Sequence, residues 1–280
     1  VKVAARCLAS LLWLAGAPVA GAAELGETIP GHPGLTYFDM AKLLVTDLDP
    51  SGDGAEHAIV PFTHIEGKDS TVEAQQDVTL DASDIDAMAI PGDPSRIVVL
   101  VDLGHQEGFV AHAELLALFS LAPAPRLLDV VEVGTAESIG FAQKEKPAML
   151  AARAPLILID SEHDDADLSL SSVEMIFIRG DRFQFIGAFS TFDEKLCSYN
   201  QMEPWSVGIV PTSGAYPAIH VSVQERIAAT GAEGCGDQQK TPRSRVTTYQ
   251  ANYRWDPRAL RFTTPSTQLK QLARENDKAP

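Results

Sequence analysis

The feature that most constrains this chain is a succession of short, apolar, β-favouring runs divided by turn-forming residues. Arg96 to Val101, Leu156 to Ile159, Val173 to Ile178, Phe183 to Ile186, Ile219 to Val223 and Val246 to Tyr249 are such runs. Leu43 to Thr46 is a shorter one. Several alternate apolar with polar residues, the period of a half-buried strand. Arg179-Gly180-Asp181-Arg182 lies between two of them and reads as a hairpin turn. Helical signals are sparse. Residues 112–120 are rich in Ala and Leu, but the stretch is short and Pro123 and Pro125 follow it. Thr267 to Arg274 spaces Leu269 and Leu272 for a short C-terminal helix or tail over 267–280. The expected fold is all-β and antiparallel.

Polar junctions recur where these runs end, at Asp47, Asp102, Asp160, Pro211 and Asp256. They stand roughly 45 to 58 residues apart, and an apolar run follows each: Ala58 to Val60, Leu115 to Phe119, Val173 to Ile178, Ile219 to Val223 and Ala259 to Phe262. Propeller blades have about that length. Five units suggest a five-bladed β-propeller, with a β-sandwich or irregular barrel as the other arrangement. The organisation expected is an extended, Gly- and Pro-rich lead-in at 24–36 and a single β domain at 37–266.

Residues 1–23 have the layout of a secretory signal peptide. Lys2 and Arg6 precede an apolar stretch from Cys7 to Ala17, Pro18 interrupts it, and Ala20-Gly21-Ala22 offers small residues for cleavage after Ala22 or Ala23. The stretch is too short to span a bilayer, and no later segment is apolar for long enough. Cys7 lacks the context of a lipoprotein cysteine. The expected location is the periplasm or the exterior. The 280 residues carry a net charge of −16, and setting aside Lys2 and Arg6 takes this to −18. So acidic a chain disfavours nucleic acid and anionic membrane surfaces as partners and suits cations. Without Cys7 the remaining cysteines are Cys197 and Cys235, an even pair that suggests a disulfide in an oxidising compartment.

The sharpest local motif is Asp47-Leu48-Asp49-Pro50-Ser51-Gly52-Asp53-Gly54-Ala55-Glu56. Asp47, Asp49, Ser51, Asp53 and Glu56 place oxygen ligands at the density a hard cation such as Ca2+ requires, and the glycines permit a sharp turn. An Asp/Gly turn that caps itself with side-chain hydrogen bonds is the other reading. The stretch from Val45 to Val60 resembles the Asp-rich loop of FG-GAP/VCBS-type repeats. Asp47 and Asp49 match the first two ligand positions. Asp53-Gly54 and Glu56 match later ones once Pro50-Ser51-Gly52 is taken as an insertion. The resemblance implies propeller blades and a structural Ca2+ in the loop.

A second acidic cluster runs Asp160-Ser161-Glu162-His163-Asp164-Asp165-Ala166-Asp167. His163 with Asp160, Asp164 or Asp167 is a candidate metal ligand or acid/base pair; a solvated acidic loop is the plainer account. His105 and His112 are seven apart, the wrong spacing for a helical zinc motif, though a hairpin would bring them together. Tyr249, Tyr253 and Trp255 alternate along one strand, either as core or as a stacking platform; Trp205 and Tyr216 raise the same question. No nucleophile elbow, Walker loop or dinucleotide-binding glycine motif appears, and no catalytic residue is assigned. The function expected is an exported binding or scaffold module for a protein, glycan or small-molecule ligand, with one disulfide and a candidate structural Ca2+. A periplasmic metal-dependent hydrolase using His163, or a periplasmic metal-binding chaperone or sensor whose two acidic segments converge, are the alternatives.

Overall fold

A computed structural model describes residues 21–55, 58–67, 78–80, 84–105, 112–134, 138–142, 147–165, 168–230 and 243–276. Most of the expected signal peptide therefore lies outside the described residues. From the N-terminus come β1 (Gly21–Ala22), α1 (Tyr37–Ala41), β2 (Asp53–Gly54), β3 (Thr63–His64), β4 (Val78–Thr79), β5 (Ile85–Ala89), β6 (Arg96–His105), β7 (His112–Ser120) and β8 (Arg126–Gly134). There follow β9 (Ser138–Phe141), β10 (Met149–Ala151), β11 (Ala154–Asp165), β12 (Leu168–Arg179), β13 (Arg182–Lys195), β14 (Tyr199–Met202), β15 (Trp205–Val210), β16 (Ala218–Ala229), β17 (Arg245–Asp256), β18 (Arg261–Thr263) and α2 (Gln268–Asn276). The chain is mostly β, as its alternating runs predict.

A six-stranded sheet has the order β1-β5-β6-β7-β8-β3, and a ten-stranded sheet the path β10-β11-β12-β13-β14-β16-β17-β18, with β9 on β11 and β15 on β16. β2 and β4 form a separate pair. Five four-stranded blades are not what the described strands make. β11, β12, β13, β16 and β17 each run for 12 to 14 residues, well beyond the usual strand. Neighbouring long strands pair along their length into one sheet, so the junction at Asp160 falls inside β11 and that at Asp102 inside β6.

The pleat sends alternate residues to opposite faces and builds three cores. Val98, Leu100, Leu116 and Leu118 of the six-stranded sheet meet Ile157, Ile159, Ile176 and Ile178 of the ten-stranded sheet in a shared seam. The opposite face of β6 and β7, with Val99, Val101, Leu115 and Phe119, is covered by Tyr37, Met40, Leu44, Val45 and Leu48. Beyond the seam the larger sheet curls over itself: Leu158, Met175 and Phe177 pack with Val221, Val223, Tyr249 and Tyr253, and Leu269 and Leu272 of α2 join them.

Burial on both faces explains why residues 112–120 carry helix-like composition yet form β7. Leu115, Leu116, Ala117, Leu118 and Phe119 are all fully buried, so the strand needs a continuous apolar run and shows no alternation. Leu43 to Thr46, expected as a strand, instead continues from α1 in turns: the Val45 amide donates to the Ala41 carbonyl at 2.9 Å. Only the bridge between Val45 and Ile59 is β-like there. Thr36 and Asp39 form a reciprocal capping box that starts α1. The lead-in folds back rather than extending, since turns at Gly31 and Gly34 let the Ile29 amide reach the Leu35 carbonyl at 2.9 Å and bury Ile29. The C-terminal helix forms as expected. Gly21 and Ala22 pair with Ala87 and Asp86, and the Ala23 amide donates to Ile85, so cleavage after Ala22 or Ala23 would remove an edge strand.

The two sheets are tied at one end of the seam. Arg96, its side chain 13% exposed, bonds Asp93 through Nε at 2.7 Å. The same guanidinium donates to the Gly180 carbonyl at 2.6 Å and the Arg153 carbonyl at 3.1 Å in the other sheet. Asp129 of β8 accepts from Arg182 at 2.6 Å and from the Phe183 amide at 2.8 Å. Replacing Arg96 with Ala strands the buried Asp93 carboxylate and removes both bonds to the other sheet. The expected loss is about 3–5 kcal/mol in urea unfolding, and Arg96→Lys is not expected to recover it because an ammonium cannot span three acceptors in a planar fork.

Candidate functional site

The 47–56 loop hangs from the N-terminal core by Leu48, which is fully buried. Asp49 Oδ1 accepts from the Ser51 amide at 2.8 Å, from Ser51 Oγ at 2.6 Å and from the Asp53 amide at 3.3 Å. These bonds hold the Asp49 carboxyl below its ordinary pKa, the Ser51 hydroxyl contributing most. Asp47 Oδ1 accepts from the Ala55 amide at 3.1 Å, and Thr79 Oγ1 donates to Asp53 at 3.0 Å. Gly52, at φ +97°, lies so close to Leu80 that a Cβ would fall 2.3 Å from its carbonyl oxygen. The loop is a self-capped turn pressed against β4. Glu56 lies outside the described residues. Among the described residues, no group of three or more His, Cys, Asp or Glu is arranged to hold a metal ion.

The second cluster is not a loop. β11 runs through Asp165 and β12 resumes at Leu168; Asp167 lies outside the described residues. The pleat turns His163 away from the face shared by Asp160 and Asp164. Asp160 accepts from Ser171 Oγ at 2.5 Å, and burial outweighs that bond to raise its pKa. The acidic segments also sit in different layers. The first covers one face of the six-stranded sheet, while the second belongs to the sheet packed on its other face. His105 and His112 are register partners across β6 and β7, as a hairpin requires.

Cys197 is held in a disulfide; Cys235 lies outside the described residues. The chain leaves β16 beside Cys197, where Thr230 Oγ1 donates to the Cys197 carbonyl at 2.5 Å, and it returns there, where Ser244 Oγ accepts from the Ala229 amide at 3.0 Å.

Of the aromatic stripe, Tyr249 and Tyr253 are buried core. Trp255 is half-buried and stacks edge-on with Tyr216 at 4.8 Å and Phe177 at 6.0 Å, with the Arg179 guanidinium over its ring at 5.3 Å. Tyr216 follows the end of β15. That strand reads Trp205-Ser206-Val207-Gly208-Ile209-Val210, without a charge and between Pro204 and Pro211. Among the described residues it pairs only with β16. The Gln224 amide donates to the Pro204 carbonyl at 2.9 Å, which fixes the phase of the ladder. By antiparallel alternation, the backbone groups of Ser206, Gly208 and Val210 face β16, and those of Trp205, Val207 and Ile209 face outward. Ser206, Gly208 and Val210 are exposed, and the other three side chains are half-buried.

Sequence reasoning missed a set of carboxyl groups in the seam. Glu114, 2% exposed, stands opposite Asp102 across β7 and β6; Asp84 lies next along, its carbonyl accepting from the Asp102 amide at 2.8 Å. Glu114 Oε2 is buried with no hydrogen-bond partner. Burial first, then the charges of Asp102 and Asp84, push its pKa up to about 9. Glu174 of β12 alternates with Ile176 and Ile178 towards the seam, and its Oε2 is likewise buried without a partner. Burial, Glu66 and Glu132 push it up to about 8. In the sequence Glu114 flanks an apolar run and Glu174 holds a polar position inside one, where an alternating strand usually sends a side chain to water.

No protein-family model, curated protein or solved structure matches the chain. No described helix is long and apolar enough to cross a membrane.

Glu114 and Glu174 hold protons in the fold that they would release when unfolded near pH 4.5. Their contribution to stability is complete below that pH and is lost as pH rises through 8 to 9. The melting temperature is expected to fall between pH 6 and about pH 9 and then level off, by roughly 2–4 °C for each kcal/mol of stability lost. The double variant Glu114→Gln with Glu174→Gln should flatten the profile in a calorimetric series.

Proposed function

We propose that this chain is an exported, sandwich-like binding module whose docking element is the outer edge of β15, unpaired among the described residues, and that its ligand is an extended polypeptide segment. The observation that carries the reading is an uncharged edge strand with three successive outward-facing backbone positions, at Trp205, Val207 and Ile209. Natural sheets usually blunt such an edge with Lys, Pro or a bulge inside the strand. Here prolines only bracket it, leaving six residues able to accept another strand by backbone hydrogen bonding. The half-exposed pair Tyr216 and Trp255 lies past the end of β15 and offers aromatic surface to apolar side chains of the guest. The sequence of residues 1–23 supports export, and the chain's exit and return beside Cys197 support a Cys197–Cys235 disulfide.

A structural Ca2+ in the 47–56 loop would have to displace the hydrogen bonds among Asp49, Ser51 and Asp53. Melting the dialysed protein with and without millimolar CaCl2 reads this directly. A rise in Tm means the ion makes that exchange; an unchanged Tm means the turn stands by itself.

Selection of random peptides displayed on phage tests the docking reading. Bound peptides are expected to share an apolar, extended pattern and to lose at least roughly tenfold in affinity to Val207→Pro, since one outward amide donor is removed while β16 pairing is kept. Peptides that bind Val207→Pro as well as the parent protein would reject the edge as the docking element. A dimer in sedimentation that dissociates in Val207→Pro would identify the guest as a second copy of the same strand.

A further inference from the structure

The seam between the sheets is chemically different at its two ends. Arg96 and Asp129 close one end with donors and acceptors that cross from sheet to sheet. Along β6, Asp102 lies six residues from Arg96, about 20 Å at strand spacing. There the polar groups are acids. β7 contributes Glu114, β6 Asp102, and the residues at and before β5 Asp86 and Asp84; opposite Glu114, β8 presents Gly134. From the other sheet comes Glu174, flanked by Ile159 on β11 and Ala188 on β13. The charges acting most on Glu174 are Glu66, which follows β3, and Glu132 of β8. His64 of β3 is the register partner of Glu132, and its Nδ1 accepts from the Glu66 amide at 3.2 Å.

We propose that this end of the seam is a proton-operated latch: the sheets stay closed while Glu114 and Glu174 are protonated, and part there when both ionise, turning about the Arg96 and Asp129 ties. Geometry supplies the parts. Glu114 is buried and Glu174 half-buried, each has a buried oxygen without a hydrogen-bond partner, and each looks onto other acids. A neutral carboxyl group tolerates that setting, whereas a carboxylate needs water or a counter-charge. With the far end pinned, the least costly response to ionisation is to admit water between β7 and β12, not to separate the whole interface. The core under α2 shares no residue with the seam cluster and stays packed.

Hydrogen–deuterium exchange of the full chain between pH 6 and pH 10, corrected for intrinsic amide rates, tests the latch. Amides of Glu114 to Leu118 and Ser172 to Ile176 are expected to lose protection as pH rises towards 8 to 9, by up to roughly a hundredfold per pH unit because opening releases two protons, and to level off above that. Amides of β16 and β17 should hold theirs, and far-UV circular dichroism should stay constant. In the double variant Glu114→Gln with Glu174→Gln the pH response should vanish. The single variant Glu174→Gln should weaken it, which keeps the test decisive if the double variant does not fold. Constant protection in the parent protein overturns the latch. So does a loss shared equally by β16 and β17, which is global unfolding, or a response that survives in the Gln variants.

Discussion

One guanidinium sets the relation between the two sheets. Arg96 begins β6, ties down Asp93 beside it, and reaches two backbone carbonyls of the other sheet. Carbonyls at hairpin turns have no ladder partner, and the Gly180 and Arg153 carbonyls find one in this guanidinium. Arg96 meets both needs at once and so sets how the sheets align. Burial raises the Asp93 pKa, but hydrogen bonds from Ser95 and Arg96 outweigh it and the carboxyl group stays below its ordinary value. That end of the seam holds a firm ion pair, while the other holds acids that burial keeps neutral. One interface thus carries opposite responses to pH at its two ends.

Much of the secondary structure was legible and the architecture was not. The runs at 96–101, 156–159, 173–178, 183–186, 219–223 and 246–249 all lie in strands, and Arg179 to Arg182 makes the hairpin turn. Those segments alternate or are rich in β-branched residues, and local chemistry decides them. The five-unit repeat failed because strand length is a tertiary outcome: Asp160 to Asp165 looks like a loop by composition, yet pairing with Ser138 to Phe141 and Leu168 to Val173 carries the strand through it. Residues 112–120 misled for the converse reason, since two cores remove the alternation that marks a strand.

Legibility of the candidate sites followed the same division. The Asp-rich loop announced its oxygens but not what they would bond to; Asp49 spends one oxygen on three donors within four residues. His163 was read with neighbours that the pleat turns the other way. The β15 edge was invisible because openness belongs to the sheet and not to the strand. Nothing in Trp205 to Val210 says that β13, which contacts it through Phe189 and Trp205 at 5.5 Å, pairs with β14 only at residues 193–195. Glu114 was hidden because an acid flanking an apolar run usually marks its exit to water, and Glu174 because the polar position of an alternating strand usually faces solvent.

The double burial of β6 and β7 has a consequence for how the chain finds its pairing. In a sheet with one wet face, a slip of one residue throws apolar side chains into water and is rejected at once. Here a slip would exchange one apolar row for another, Leu116 and Leu118 for Leu115 and Ala117, at little cost in hydrophobic burial. Register must therefore be chosen by the few residues that are not interchangeable. Arg96 has to meet its carbonyls at one end. That charged residue at the margin acts as an alignment mark for a strand pair whose middle is nearly blind to position.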